Sequence, residues 1–411
     1  MCMKDLIVDS AKKGGVVFWE EIARDGAQAK TIMSGQERVN IARKHSSLFE
    51  GAAQNHLIFA AGFPSIGKNE LESIYELAEK IDSCYLATHG RPTRYDVDLG
   101  LNALKKAKYG RVSFLLPATE QKAQRITRCS LGESYSKGID LIKYIKDKNP
   151  DIPVDIALVD SPIADVGELS DFINEATENG LSIAKICDTR GIFYPNHIVP
   201  YFEKLTKFLS KESTLGTHFH NDLGLGLSNT LKVFESGLRI ASTSWLGLGE
   251  RAGLVPTEQL LFLLSNEKES LFERIGIKDV KALFTNEINL KSMVDIANEV
   301  SEILNIPIKS TDPIIGSGLT SISTGLPFEN PSEFQPFDPT KVLGRKQKVV
   351  ITHLASKKVI DYVARENGFL FSKSQLNEVF QKVKNRPYDS KNPVVGDKDL
   401  TTIFNSVKEK N

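Results

Sequence analysis

Eight short apolar runs, each rich in β-branched and aromatic residues, recur between amphipathic segments along the chain. They read VVFWEEIA near residue 16, HLIFAAG near 56, CYLATHG near 84, RVSFLLPA near 111, VDIALVD near 154, SIAKICD near 182, TLGTHFH near 214 and RIASTSWLG near 239. Segments such as NELESIYELAEKI and GELSDFINEATENG separate them, with apolar residues three to four apart, as on one helix face. Apolar strands that alternate with helices imply a parallel sheet covered on its outside. Eight such units closing on themselves predict an α/β fold, a (β/α)8 TIM barrel. An open doubly wound sheet is the alternative, but no GxGxxG turn follows the first run and polar residues cluster at nearly every strand's C-terminal end.

A chain of 411 residues exceeds one such barrel. After about residue 310 the pattern changes to a stretch rich in Ser, Thr, Gly and Pro, followed by a helical tail, THLASKKVIDYVARENG then SKSQLNEVFQKVKN. The expected organisation is a barrel over 1–280, a loop-rich connecting region over 281–345 and a small helical domain over 346–411, with the Lys-rich last residues frayed. Lys and Arg number 52 against 52 Asp and Glu and are scattered, which leaves no electrostatic footprint for nucleic acid or an anionic membrane and points to small-molecule partners. Cys2, Cys84, Cys129 and Cys187 are far apart and read as mainly structural thiols of a reducing compartment. No apolar leader or spanning segment is visible, so a cytoplasmic protein is expected.

Residues at the C-terminal ends of barrel strands line the active-site face. The first strand is expected to end in Arg24, Asp25 and Gly26, and the seventh in His218, Phe219, His220, Asn221 and Asp222. Residues two apart in a strand share a face, so His218 and His220 present both imidazoles to one side. With Asp25 they make two nitrogens and one hard oxygen, a three-ligand set that leaves positions open on a catalytic divalent ion; two satisfied core histidines are the competing interpretation. Arg24 is placed to stabilise an oxyanion or, more plainly, to pair with Asp25. Thr189, after Asp188, is a candidate donor to a substrate carboxylate or a helix cap. The loop Gly247–Gly253, containing Gly249, Glu250 and Arg251, permits close backbone approach to phosphates or to a metal's surroundings.

ARDGAQ after the first strand, CDTRG after the sixth, THFHNDLGLGLSNTL after the seventh and GLGERAG after the eighth together resemble the motifs of the Claisen-condensing branch of the DRE-TIM metallolyases, which includes isopropylmalate, citramalate and homocitrate synthases. The resemblance covers about residues 16–265 and extends more weakly through NPSEFQPFDP. GLGER also separates this branch from hydroxymethylglutaryl-CoA lyases, which carry a cysteine motif in that loop. It implies Asp25, His218 and His220 as ligands of Mg²⁺, Mn²⁺ or Zn²⁺, and Arg24 as the catalytic arginine. It further implies Gln28 and Thr189 near a 2-oxo acid, Arg91 as an arginine after the third strand, acetyl-CoA or another acyl-CoA as co-substrate, and a homodimer in which the region after the barrel reaches over the partner's site. The implied reaction is addition of the acyl-CoA methyl carbon to the ketone of the oxo acid, then hydrolysis of the thioester to release a 2-hydroxy di- or tricarboxylic acid. Glu20, Glu250 and a metal-bound hydroxide are all candidates for the base.

Several positions depart from that pattern. Val159 occupies the acidic position of the fifth-strand motif, Leu254 stands where isopropylmalate synthases have Asn, and Ser323 and Phe334 align with the family's catalytic His and Tyr. Two alternatives therefore stand beside the synthase: a metal-dependent lyase or aldolase on the same scaffold, and a catalytically altered binding or regulatory barrel.

Overall fold

Eight parallel strands close into a barrel in the order of the sequence: β1 (Val17–Glu20), β2 (Leu57–Gly62), β3 (Tyr85–Gly90), β4 (Gly110–Pro117), β5 (Val154–Val159), β6 (Leu181–Asp188), β7 (Leu215–Phe219) and β8 (Ile240–Thr243), with β8 pairing back onto β1. The structure is a computed structural model that describes residues 5–408; Cys2 and the Lys-rich end at 409–411 lie outside the described residues. The expected TIM barrel is thus the observed fold. Every residue of β1, β2, β3, β7 and β8 is buried, because helices cover the outside while side chains fill the inside. The covering helices are started by side chains that satisfy free N–H groups: Ser34 with Glu37 and Ser130 with Glu133 form reciprocal capping boxes on helices Gly35–Ser47 and Leu131–Lys148.

Alternate residues along each strand share a face, and the inward face changes character along the barrel. At the N-terminal end Val17, Trp19, Ile58, Tyr85, Ala87, Ile183 and Ile240 pack with Ile7, from the helix Leu6–Lys12, as one apolar cluster. Each fully buried Ile or Val there contributes roughly 1.5–3 kcal/mol by leaving water. Arg111 of β4 is sealed in the same region and gives paired hydrogen bonds to Asp155 of β5 at 2.7 and 2.9 Å and to Asp5 at 3.0 and 3.1 Å. Two steps further along the same faces come Glu21, His89, Lys185 and His218, so the filling turns from hydrocarbon to ionisable groups toward the strands' C-terminal ends.

Two details differ from the sequence expectation. β1 ends at Glu20, and Arg24, Asp25 and Gly26 lie in the turn and short 3₁₀ helix after it, because the Arg24 and Gly26 amides both bond the Glu21 carbonyl at 2.9 Å and curl the chain. His220 also lies beyond β7, held by an isolated bridge to Leu254.

By packing, the chain divides between Ile308 and Lys309 into two compact units. The helix Leu290–Leu304 belongs to the first and buries Met293, Ile296, Ala297 and Val300. In the second, short helices such as Pro331–Phe334 and Pro339–Leu343 and a strand pair, Ser321–Ile322 with Lys348–Val349, give the Gly- and Pro-rich stretch more regular structure than its composition suggests. Helices Lys357–Glu366, Lys373–Ser390 and Asp397–Lys408 follow, around a core of Val359, Ile360, Val379, Val383, Leu400, Phe404 and Val407. Among the described residues, no helix is long and apolar enough to cross a membrane.

Candidate metal centre and active site

The turn after β1 and the end of β7 converge. Asp25, His218 and His220, all buried, offer ligand atoms that lie within 4.8 Å of one another. The Nε2 atom of His218 stands 3.7 Å from Asp25 Oδ2, and the two imidazole rings are 5.2 Å apart at 78°. Burial, reinforced by His218, pushes the His220 imidazole down to about 4, so it is neutral near pH 7 and its lone pair is free. Burial opposes the charge on Asp25, yet Arg24 and His218 outweigh it and hold the carboxyl below its usual range. His220 Nδ1 is buried without a hydrogen-bond partner, a costly state for a polar atom inside a protein. Two imidazoles and a carboxylate, with buried ring nitrogens that have no hydrogen-bond partner, fit a divalent cation.

The loop after β8 is built around this carboxylate. The Glu250 amide donates to Asp25 Oδ1 at 3.0 Å, and a Cβ on Gly249 would sit 2.9 Å from that same oxygen, so only glycine lets the backbone come so near. Gly253, at φ +84°, fits where a Cβ would collide with the Gly247 carbonyl oxygen at 1.8 Å. Arg251 does not point into the site: it grips Asp222 at 2.8 and 3.0 Å and the Thr189 carbonyl at 2.6 Å, tying the loops after β6, β7 and β8 together.

Beside the triad lies a cavity of about 140 Å³ lined by Arg24, Asp25, Gln28, His89, Lys185 and Thr189, with Leu115, Ala157, Val159 and Cys187 as its less polar wall. Drug-sized ligands fill pockets of roughly 300–1,000 Å³, so this one suits a small acid and not a whole coenzyme. A larger hollow of about 600 Å³, near Asp5, Lys105, Lys148 and Asp151, lies by the strands' N-terminal ends, away from the triad. Arg24 donates to Glu21 at 2.7 Å and sits 3.2 Å from Asp25, so it is both an ion-pair partner and a fixed cation at the cavity wall. The Thr189 hydroxyl accepts from the Asp160 amide at 2.9 Å. Gln28 leans on Asp25 at 3.4 Å. Arg91 is not brought to this cavity: its guanidinium is engaged by Asp96 at 2.8 and 2.9 Å and its side chain is largely exposed.

The sequence reading passed over three buried groups. Glu21 accepts from Arg24, and its Oε1 lies 3.6 Å from His218 Nδ1 and 3.7 Å from Lys185 Nζ. Burial works against its charge, but Arg24 and Lys185 hold the carboxyl well below the usual range. Lys185 also rests 3.5 Å from the centre of the Trp19 ring, a cation–π contact. His89 shares a hydrogen bond of 3.3 Å with Ser113, and burial together with Arg24 and Lys185 keeps it neutral. Period-two spacing was the available signal: Lys185 shares a strand face with Cys187 and Thr189, and His89 with Ala87.

Glu20, a candidate base by sequence, does not line the cavity. It is sealed in, accepting from the amides of Ile22 at 3.0 Å and Trp245 at 3.2 Å and from the Thr257 hydroxyl at 2.6 Å. Burial pushes its carboxyl up to about 8 from the ordinary 4.5, against those hydrogen bonds. An acid raised on folding binds its proton more tightly in the native state, so its contribution is full below about 4.5 and is lost as pH rises through 8. Glu20→Gln is expected to flatten that part of the pH–stability curve. Thermal unfolding from pH 5 to 9 checks this, and an unchanged slope in the variant would reject it.

Residues 16–300 match the HMGL-like family. The chain is 23% identical over 400 residues to the 2-isopropylmalate synthase of Dictyoglomus turgidum, covering 96% of this chain and 75% of that one. It is 22% identical over 405 residues to 2-isopropylmalate synthase 1 of Caldanaerobacter subterraneus, covering 96% of each. Among solved structures it is similar to a Bacillus subtilis HMG-CoA lyase, with a TM-score of 0.56 at 17% identity over 74% of this chain and 97% of the lyase, a likeness of fold.

Proposed function

Since this chain belongs to the HMGL-like family, we propose that it is a metal-dependent acyltransferase that condenses acetyl-CoA, or another acyl-CoA, with a small 2-oxo acid. The observation that carries this reading is the convergence of Asp25, His218 and His220 beside a small cavity walled by Arg24 and Thr189. A divalent cation held by the three would polarise the ketone of the oxo acid as a Lewis acid. Arg24, pinned by Glu21 and Asp25, keeps a permanent positive charge where the ketone oxygen becomes negative, without reorganising as the charge develops. Thr189 donates its hydroxyl proton to the substrate carboxylate. Val159, Ala157 and Leu115 keep that side of the cavity apolar and dry. Of the candidate bases, Glu250 lines the cavity and Glu20 does not, which supports Glu250 or a metal-bound hydroxide as the group that takes the proton from the acyl methyl group. Homodimerisation follows the resemblance to the synthases.

The lyase reading uses the same metal site in reverse, and the full-length similarity to enzymes named as synthases favours the forward direction. Acetyl-CoA incubated with a panel of 2-oxo acids and a thiol reagent separates them. Free CoA released only in the presence of one or more oxo acids is the expected result; no release with any of them, together with cleavage of a hydroxyacyl-CoA, would establish the lyase.

A further inference from the structure

Glu21 touches both halves of the site at once. Its Oε2 accepts from Arg24 Nε at 2.7 Å and its Oε1 from the Ser242 hydroxyl at 3.3 Å, while Oε1 also faces Lys185 Nζ at 3.7 Å and His218 Nδ1 at 3.6 Å, a buried nitrogen that has no hydrogen-bond partner and for which this carboxylate is the neighbour at ion-pair distance. The side chain is fully buried. His218 turns its other nitrogen, Nε2, toward Asp25 at 3.7 Å. An imidazole with a carboxylate on one edge carries its proton there, which leaves the opposite lone pair for a cation. We propose that Glu21 is a positioning residue of the metal centre: it holds His218 with the proton on Nδ1 and the Nε2 lone pair toward Asp25, and with its second oxygen it aims Arg24 at the same cavity. This rests on reading Asp25, His218 and His220 as metal ligands.

The arrangement explains why a carboxylate with two cationic neighbours sits inside a barrel. A neutral acceptor at this place would hold the Nδ1 proton of His218 more weakly than a carboxylate does and would leave Arg24 with Asp25 alone as its counter-charge. Lys185, held over the Trp19 ring, supplies the second counter-charge that keeps Glu21 ionised despite its burial. The plainer role for Glu21 is to neutralise Arg24 and Lys185 and nothing more. The two roles part company when charge balance is restored without the carboxylate.

The experiment uses the full chain, stripped with a chelator, and follows Mn²⁺ binding by titration calorimetry alongside thermal unfolding. Glu21→Gln is expected to weaken Mn²⁺ binding about 10- to 100-fold, the usual effect of removing a carboxylate behind a ligating histidine, and to lower Tm. The double variant Glu21→Gln with Lys185→Met should regain thermal stability yet keep the weakened affinity. Glu21→Asp retains the charge but withdraws it from His218, and should bind Mn²⁺ more weakly at nearly unchanged Tm. Wild-type affinity in the folded double variant, or in Glu21→Asp, would overturn the proposal and leave Glu21 a counter-charge only. Failure of the wild type itself to bind Mn²⁺ would remove the metal centre, and this inference with it. Binding by the wild type and all variants alike would remove the role of Glu21 alone.

Discussion

Replacing His220 with Ala is expected to abolish divalent-cation binding and turnover together while leaving the barrel folded. His220 meets Leu254 through backbone pairing, which the substitution preserves, and its buried Nδ1 has no hydrogen-bond partner whose loss would be felt elsewhere. What disappears is one of three ligand atoms lying within 4.8 Å of one another. Removing it leaves only two donors, Asp25 from the turn after β1 and His218 from β7, 3.7 Å apart. Chelation of the wild type should have the same effect as the substitution, and Mg²⁺, Mn²⁺ or Zn²⁺ should reverse it, since two imidazoles and a carboxylate do not choose among these ions. Activity with metal content, measured on the same preparations, checks the claim. Full turnover in His220→Ala with unchanged bound metal would dismiss the site.

The barrel was legible because apolar runs and amphipathic segments alternate in lengths that only a covered parallel sheet accommodates. The proposed ligands were legible for a narrower reason: His218 and His220 are two apart, and although β7 ends at Phe219, the bridge between His220 and Leu254 carries the extended path one residue further, so both imidazoles reach the same site. What escaped is instructive. Glu21 reads as part of a polar pair with Glu20 at a strand end, yet Glu20 turns outward to Trp245 and Thr257 and Glu21 inward to His218. Nothing in the pair says which is which until the register of β1 against β8 is known. Lys185 lies inside an otherwise apolar strand, where a lone lysine suggests an edge or an error in assignment. Its partner, Glu21, lies 164 residues away in sequence, and only barrel closure brings the two together. Arg91 shows the opposite failure. Its sequence position beyond β3 is correct for a site residue, but Asp96, at the start of the next helix, captures its guanidinium.

Deleting residues 309–411 is expected to abolish turnover, whereas Ser323→Ala should leave it within a few-fold of wild type. The two outcomes follow from different physics. A serine hydroxyl is a poor base without an activating neighbour, and Phe334 has no exchangeable proton, so neither can take the part of an imidazole or a phenol in proton transfer. The first unit, by contrast, has a complete barrel and its own buried core, so the truncated chain has what it needs to fold. Its loops at the strands' C-terminal ends nevertheless leave large apolar side chains open to water: Ile32 is 85% exposed, Ile66 73% and Leu223 51%. In the proposed reaction the acyl-CoA carbanion must be shielded from water until it has added to the ketone, and Glu250, which lines the 140 Å³ cavity, is itself half-exposed. Something further has to close the site, and the truncation tests whether residues 309–411 are needed for it. Sizing by light scattering, circular dichroism and metal titration on the truncated chain would establish that folding and Mn²⁺ binding survive while CoA release does not. A truncated chain with full turnover would locate all the chemistry in the first unit. A large, pH-dependent loss in Ser323→Ala, with metal binding and assembly intact, would show instead that the proton passes through the second unit.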